Sequence, residues 1–204
     1  MKIAILCLLV FLSPISRAIA QPWSKPVAKW SDADARHVLS ASPWAKRTTP
    51  KFREVAGGET AGRRVALSKV TVRWESAMPV KAAHRKRGTV PPVADDQAHY
   101  AIAIGGLRRQ GSDALSVSEA VLQYCDGEPA KAVGVKTLTD ADGGPLLVFL
   151  FPAVKEIREP GVFRYPFGIT FKPNTFEFVA RVGQVEIKQK FDLRDMLYLK
   201  QLKL

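Results

Sequence analysis

The clearest pattern lies in the last third of the chain, where Phe163, Tyr165, Phe167, Ile169 and Phe171 alternate with Arg164, Pro166, Gly168 and Thr170. A period of two marks a strand with one buried face. Pro173-Asn174 suits a turn, Phe176, Phe178, Ala180 and Val182 resume the alternation, and Gly183-Gln184 suits a two-residue hairpin with glycine first. Val185, Ile187, Phe191 and Leu193 then alternate with Glu186, Lys188, Lys190 and Asp192. Three consecutive antiparallel strands are expected, held in register because a one-residue slip would turn every aromatic outward. Pro166 lacks an N–H and belongs at an edge or a bulge.

Weaker signals run through the rest of the chain. Val70, Val72 and Trp74 predict a strand, as do Tyr100, Ile102 and Ile104, closed by Gly105-Gly106. Val133, Val135 and Thr137 predict another, joined through Asp142-Gly143-Gly144 to the apolar run Leu146 to Phe151 as a hairpin. Residues 116–125 fit helix or strand, and periodicity leaves both open. A last short strand is expected over 196–204. Two short helices are predicted. The first is capped by Ser31 with Asp34 at its third position, buries Ala35, Val38 and Leu39, and is stopped by Pro43. The second starts at Pro79, carries Lys81, His84, Arg85, Lys86 and Arg87, and ends at Gly88. Residues 21–29 look like an extended lead-in, Trp44 like a core plug, and 46–62 like a loop.

About eight strands joined by short turns exclude parallel crossovers. The class is therefore mainly β (α+β): an antiparallel sandwich or meander of about eight strands with one or two short helices, the alternative being one sheet capped by the first helix. An outer-membrane barrel is disfavoured, because Glu and Lys occupy the face opposite the aromatics and several strands are shorter than about 9 residues.

The N-terminus changes the picture. Lys2 precedes the unbroken apolar run Ile3 to Leu12, Ser13-Pro14 breaks it, and Ala18-Ile19-Ala20 supplies the small residues a signal peptidase reads. The run is too short for the roughly 20 residues of a membrane span. Residues 1–20 are thus expected to be a signal peptide cut before Gln21, with 21–45 as lead-in and helix and 46–204 as a single antiparallel β-rich domain. Cys7 leaves with the signal and no lipid-attachment pattern precedes it. Cys125 remains as the sole thiol, so no intrachain disulfide can form.

Charge adds a partner class. Lys and Arg number 31 against 19 Asp and Glu, a formal net charge of +12, of which only Lys2 and Arg17 lie in the signal. Such an excess draws polyanions, and an exported protein meets anionic lipid, polysaccharide and cell-wall polymer first. Nucleic acid is disfavoured, since the aromatics alternate towards a core and no recognition fold is legible.

Catalytic signals are faint. His37 sits on the first helix near its polar face. His84, Asp95, Asp96 and His99 come close in sequence, but their spacing matches no compact metal site, and Arg85, Lys86 and Arg87 would repel a dication. No Gly-x-Ser-x-Gly elbow occurs, Cys125 has no histidine nearby, and Asp140 with Asp142 is explained by the following turn. No cofactor or metal is implied. The one surface feature with chemistry is the basic cluster Lys81, His84, Arg85, Lys86 and Arg87 beside Arg73-Trp74, suited to a phosphate or a sugar acid, or to a plain solvated face.

Trp30 through Ser42-Pro43-Trp44-Ala45, Arg73-Trp74-Glu75-Ser76-Ala77 with Pro79, Tyr100-Ala101-Ile102-Ala103 with Gly106-Leu107, Phe151-Pro152, and Phe191-Asp192-Leu193 with Met196, Tyr198 and Leu202 resemble an uncharacterised family of small exported proteins found mainly in Acidobacteria. The resemblance spans most of the chain beyond the leader and implies one exported domain, with no activity, cofactor or site residues. The expectation is a periplasmic or extracellular, non-catalytic binding or structural domain of the cell envelope, whose partner is an anionic polymer, a lipid surface or a protein. A secreted hydrolase with a dispersed active site is the alternative.

Overall fold

The computed structural model describes residues 21–52, 67–93, 98–107, 116–124, 129–140, 143–153, 155–156, 163–164, 175–202 and 204. The expected signal segment, Asp95, Asp96, Cys125, Asp142 and residues 165–174 lie outside them.

Two five-stranded sheets, antiparallel throughout, make a sandwich. The first contains β1 (Ala45–Thr48), β3 (Val70–Trp74), β4 (His99–Gly105), β8 (Pro145–Pro152) and β7 (Gly134–Thr139), in that spatial order. The second contains β2 (Lys51–Phe52), β12 (Val185–Asp192), β11 (Thr175–Val182), β5 (Val117–Tyr124) and β6 (Ala130–Lys131). Short pairs complete the set: β9 (Lys155–Glu156) with β10 (Phe163–Arg164), and β13 (Leu197–Tyr198) with β14 (Gln201–Leu202). The expected class, an antiparallel sandwich with two short helices, is the observed one, and residues 116–125 resolve as strand over Val117–Tyr124.

The inner faces follow the alternation. Phe176, Phe178, Ala180 and Val182 of β11 meet Phe149 and Phe151 of β8 and Trp74 of β3, with Phe149 and Phe178 ring centres 5.4 Å apart and edge-on. Trp74 is fully buried among Phe176, Phe191 and Tyr100. The β11–β12 hairpin turns at Gly183, whose φ of 53° favours glycine. On the solvent side Arg181 bridges Glu119 of β5 and Glu186 of β12, tying three strands. Strand β8 lacks alternation because both its faces are covered: Leu147, Phe149 and Phe151 face the main core, while Leu146 and Val148 join Ala101, Ala103 and Val93 in a second cluster.

Three expectations are corrected. Strand β11 does not pair with the strand containing Phe163, because β12 and β5 occupy its two edges; Phe163–Arg164 pairs with Lys155–Glu156 instead. The expected loop over 46–62 contains β1 and β2, which pair with β3 and β12 through backbone bonds that polar sequence (Lys46-Arg47-Thr48) conceals. The lead-in is likewise ordered as two single 3-10 turns, Pro22–Ser24 and Val27–Lys29.

Helix α1 (Asp32–Ser40) carries the full capping box. The Ser31 hydroxyl accepts the Asp34 N–H, and the Asp34 carboxylate accepts the Ser31 N–H at 2.7 Å. Lys25 donates to the same carboxylate at 2.8 Å and pins the lead-in to the helix. That hydrogen bond, helped by the one from Ser31, holds the Asp34 pKa at about 2. Helix α2 (Met78–Lys86) has Pro79 at its second position and packs on α1. Trp30, Val38, Trp44, Val80 and Ala83 belong to the same apolar core as the sheets, so lead-in, helices and sandwich share one interior.

Candidate functional site

The structure divides the basic cluster predicted on α2. Arg85, Lys86 and Arg87 are exposed and Lys81 is half-buried, but His84 is 4% exposed and points inward. Within the last turn of this nine-residue helix His84 falls on the core face, so it cannot serve a surface anion site. Trp74 is equally unavailable, since its ring lies inside the sandwich.

His84 joins a buried polar chain instead. Arg73 on β3 donates from Nε to Glu75 Oε1 at 2.5 Å and from Nη1 to the Leu39 carbonyl near the end of α1 at 3.3 Å. The other Glu75 oxygen lies 3.2 Å from His84 Nε2, and His84 Nδ1 lies 2.9 Å from Thr89 Oγ1. Glu75 is fully buried. Asp140, at the end of β7, stands 3.7 Å from Arg73 Nη2 as a second anion. Gly105 leaves room for it, since a Cβ there would sit 3.1 Å from Asp140 Oδ2.

Carboxylate, imidazole and hydroxyl in series have the form of a hydrolytic triad. The surroundings argue for structure. Thr89 uses both its N–H and its hydroxyl to cap the His84 carbonyl, at 2.9 and 3.1 Å. It also lies at the C-terminal end of α2, where the helix dipole opposes a developing oxyanion. The chain Arg73–Glu75–His84–Thr89 clamps β3, α1 and α2 together. His99 begins β4 opposite Pro152, and among the described residues no group of three His, Cys, Asp or Glu could hold a metal.

A different feature has the geometry of a ligand site. An open cleft of about 880 Å³ lies between the 3-10 turn Pro22–Ser24, the segment 41–46 and the C-terminal segment 194–200. Trp23, Pro43, Leu197 and Leu199 give it apolar walls, and its charged lining is Lys46, Arg194, Lys200 and Asp195, with Asp192 paired to Arg194 beside it. Trp23 is half-exposed yet held: its ring lies parallel to His37, 5.9 Å between centres, and edge-on to the buried Trp44 at 5.8 Å. Arg194 is oriented by a two-point contact with Asp192, at 2.5 and 3.0 Å, and this hydrogen bonding lowers the Asp192 pKa. Lys46 projects over the Phe191 ring, 5.8 Å from its centre.

Beside Trp23 the cleft is lined by the turn between β13 and β14. Leu199 and Lys200 form it with φ of 47° and 63°, the left-handed region, and neither is glycine. Such backbone costs about 1–2 kcal/mol per residue, and two-residue turns of this kind normally carry Asn-Gly. Leu199 is also 45% exposed. Its N–H donates to the Trp23 carbonyl at 3.4 Å, and Tyr198 accepts the Val27 N–H on its phenolic oxygen at 3.1 Å, so the turn is tied to the lead-in.

No protein-family model matches the chain, and no curated protein is significantly similar to it. Among solved structures it is similar to a DUF4426 family protein from Pseudomonas aeruginosa, with 9% identity, a TM-score of 0.30, and coverage of 71% of this chain and 92% of that one. So slight a likeness transfers no site or activity.

The cleft could not be found by local motif, because its cations come from β1 and the last eleven residues and its indole from the lead-in. Trp23 falls in a Pro- and Lys-rich stretch that reads only as an extended lead-in, without a sign of what faces it. Among the described residues no helix is long and apolar enough to cross a membrane.

Proposed function

We propose that this is an exported, non-catalytic binding domain of the cell envelope that holds an anionic polysaccharide in the cleft between Trp23 and the Leu199–Lys200 turn. The observation that carries the reading is the pairing of an immobilised, half-exposed indole with Lys46, Arg194 and Lys200 in one open groove. A pyranose ring presents an apolar face to an indole, and its carboxylate meets the cations. An open groove also lets a chain enter and leave, as a polymer requires. The pattern of residues 1–20 supports export, and the basic excess that remains without Lys2 and Arg17 supports a polyanionic ligand.

The test is retention of the exported protein on immobilised polygalacturonate, with dextran as the neutral control and phosphatidylglycerol vesicles as the lipid arm. Retention on polygalacturonate alone, lost between about 10 mM and about 1 M salt as the screening length shrinks from ~30 to ~3 Å, is the expected result. Equal retention on dextran, or binding to the vesicles only, overturns the reading. N-terminal sequencing of the exported protein is expected to begin at Gln21; recovery of uncut protein inside the cell overturns the export part.

A further inference from the structure

We infer that the Leu199–Lys200 turn is a specificity clamp, kept in left-handed backbone because it holds its two side chains fixed in the cleft against the ligand; this rests on the polysaccharide reading above. Three observations meet at the turn. Both residues take a conformation that side chains disfavour, with φ of 47° and 63°. Both line the cleft, one bringing an exposed apolar surface and the other a cation. The backbone bond from Leu199 to Trp23 sets the turn's distance from the indole, so the two walls move as one unit.

A turn under no demand from a ligand would gain stability from Asn-Gly at these positions. Leucine and lysine make physical sense there for what they present: Leu199 covers the apolar edge of a sugar ring seated on Trp23, and Lys200 meets its carboxylate. The clamp thus selects an acidic sugar over a neutral one, because a neutral ring would leave Lys200 without its anion while still covering it. It selects a sugar over a bare phosphate, because phosphate makes no use of Leu199.

The experiment is the double substitution Leu199→Asn, Lys200→Gly, read by thermal melting and by affinity for polygalacturonate, with Lys136→Gln as a control for loss of one exposed cation outside the cleft. The expected result is a melting temperature higher by about 4 to 8 °C together with at least a tenfold loss of affinity, while Lys136→Gln keeps affinity within about twofold, as a screened distant charge should. A higher melting temperature with unchanged affinity overturns the clamp and leaves the polysaccharide reading standing. An unchanged or lower melting temperature overturns the strain argument. An equal affinity loss in Lys136→Gln reduces the effect to overall charge and overturns it as well. Failure of the unsubstituted protein to bind polygalacturonate overturns the reading beneath it.

Discussion

Replacing Glu75 by alanine tests whether the interior clamp holds the two helices to the sheet. Glu75 has no exposed surface, and each of its oxygens is taken, one by Arg73 at 2.5 Å and one by His84 at 3.2 Å. Removing it strands the Arg73 guanidinium, whose side chain is only 7% exposed and whose nearest remaining anion is Asp140 at 3.7 Å. Breaking a buried ion pair from one side costs about 3–5 kcal/mol, because the surviving charge has lost both its partner and its water. For a domain of this size that corresponds to a fall in melting temperature of roughly 6–20 °C. Urea unfolding followed by circular dichroism measures the loss. The companion variant Arg73→Met with Glu75→Leu removes both charges and is expected to recover most of the stability, since apolar replacement of a buried pair is often neutral or favourable. A loss below about 1 kcal/mol for Glu75→Ala would refute the reasoning, since a water-accessible carboxylate is the state in which such a pair is worth so little.

Three further outcomes are expected. Ser31→Ala removes one half of the capping box and should cost about 1 kcal/mol of unfolding free energy in the same urea assay. Asp34, with its pKa held at about 2 by Lys25 against an ordinary 3.8, favours the folded state in its ionised form; its contribution is complete above about pH 4 and is lost as the pH falls through 2. Lys25→Met should flatten that part of the acid-unfolding curve. Trp23→Ala should lower affinity for polygalacturonate about threefold to tenfold, the worth of one aromatic contact, and should also lower stability in the urea assay, because the ring packs on His37 and the buried Trp44.

Much of the fold was legible where one face of an element is buried and the other is wet. Strands β11 and β12 alternate because they present Phe176, Phe178, Ile187 and Phe191 to the core and ion pairs to solvent. The Ser31 cap was legible because its chemistry is local. Pairing partners were not: nothing in Phe163 or Phe176 states that β5 takes the second edge of β11. Edge strands such as β1 escaped because their apolar alternation is weak while their backbone bonds are sequence-blind. His84 was misplaced for a related reason, since a histidine among arginines has the signature of a surface, and only Glu75 across the turn from β3 draws it inside. The cleft depends on three segments meeting, and its rim on a turn whose residues give no turn signal.

Tryptophan fluorescence offers the most direct test of the central claim. Of the four tryptophans, Trp30, Trp44 and Trp74 are buried, and Trp23 alone is half-exposed at the cleft. Titration with polygalacturonate at low salt is predicted to give a saturable change that vanishes in Trp23→Phe and at high salt. No change on titration, or one that survives in Trp23→Phe, contradicts the account.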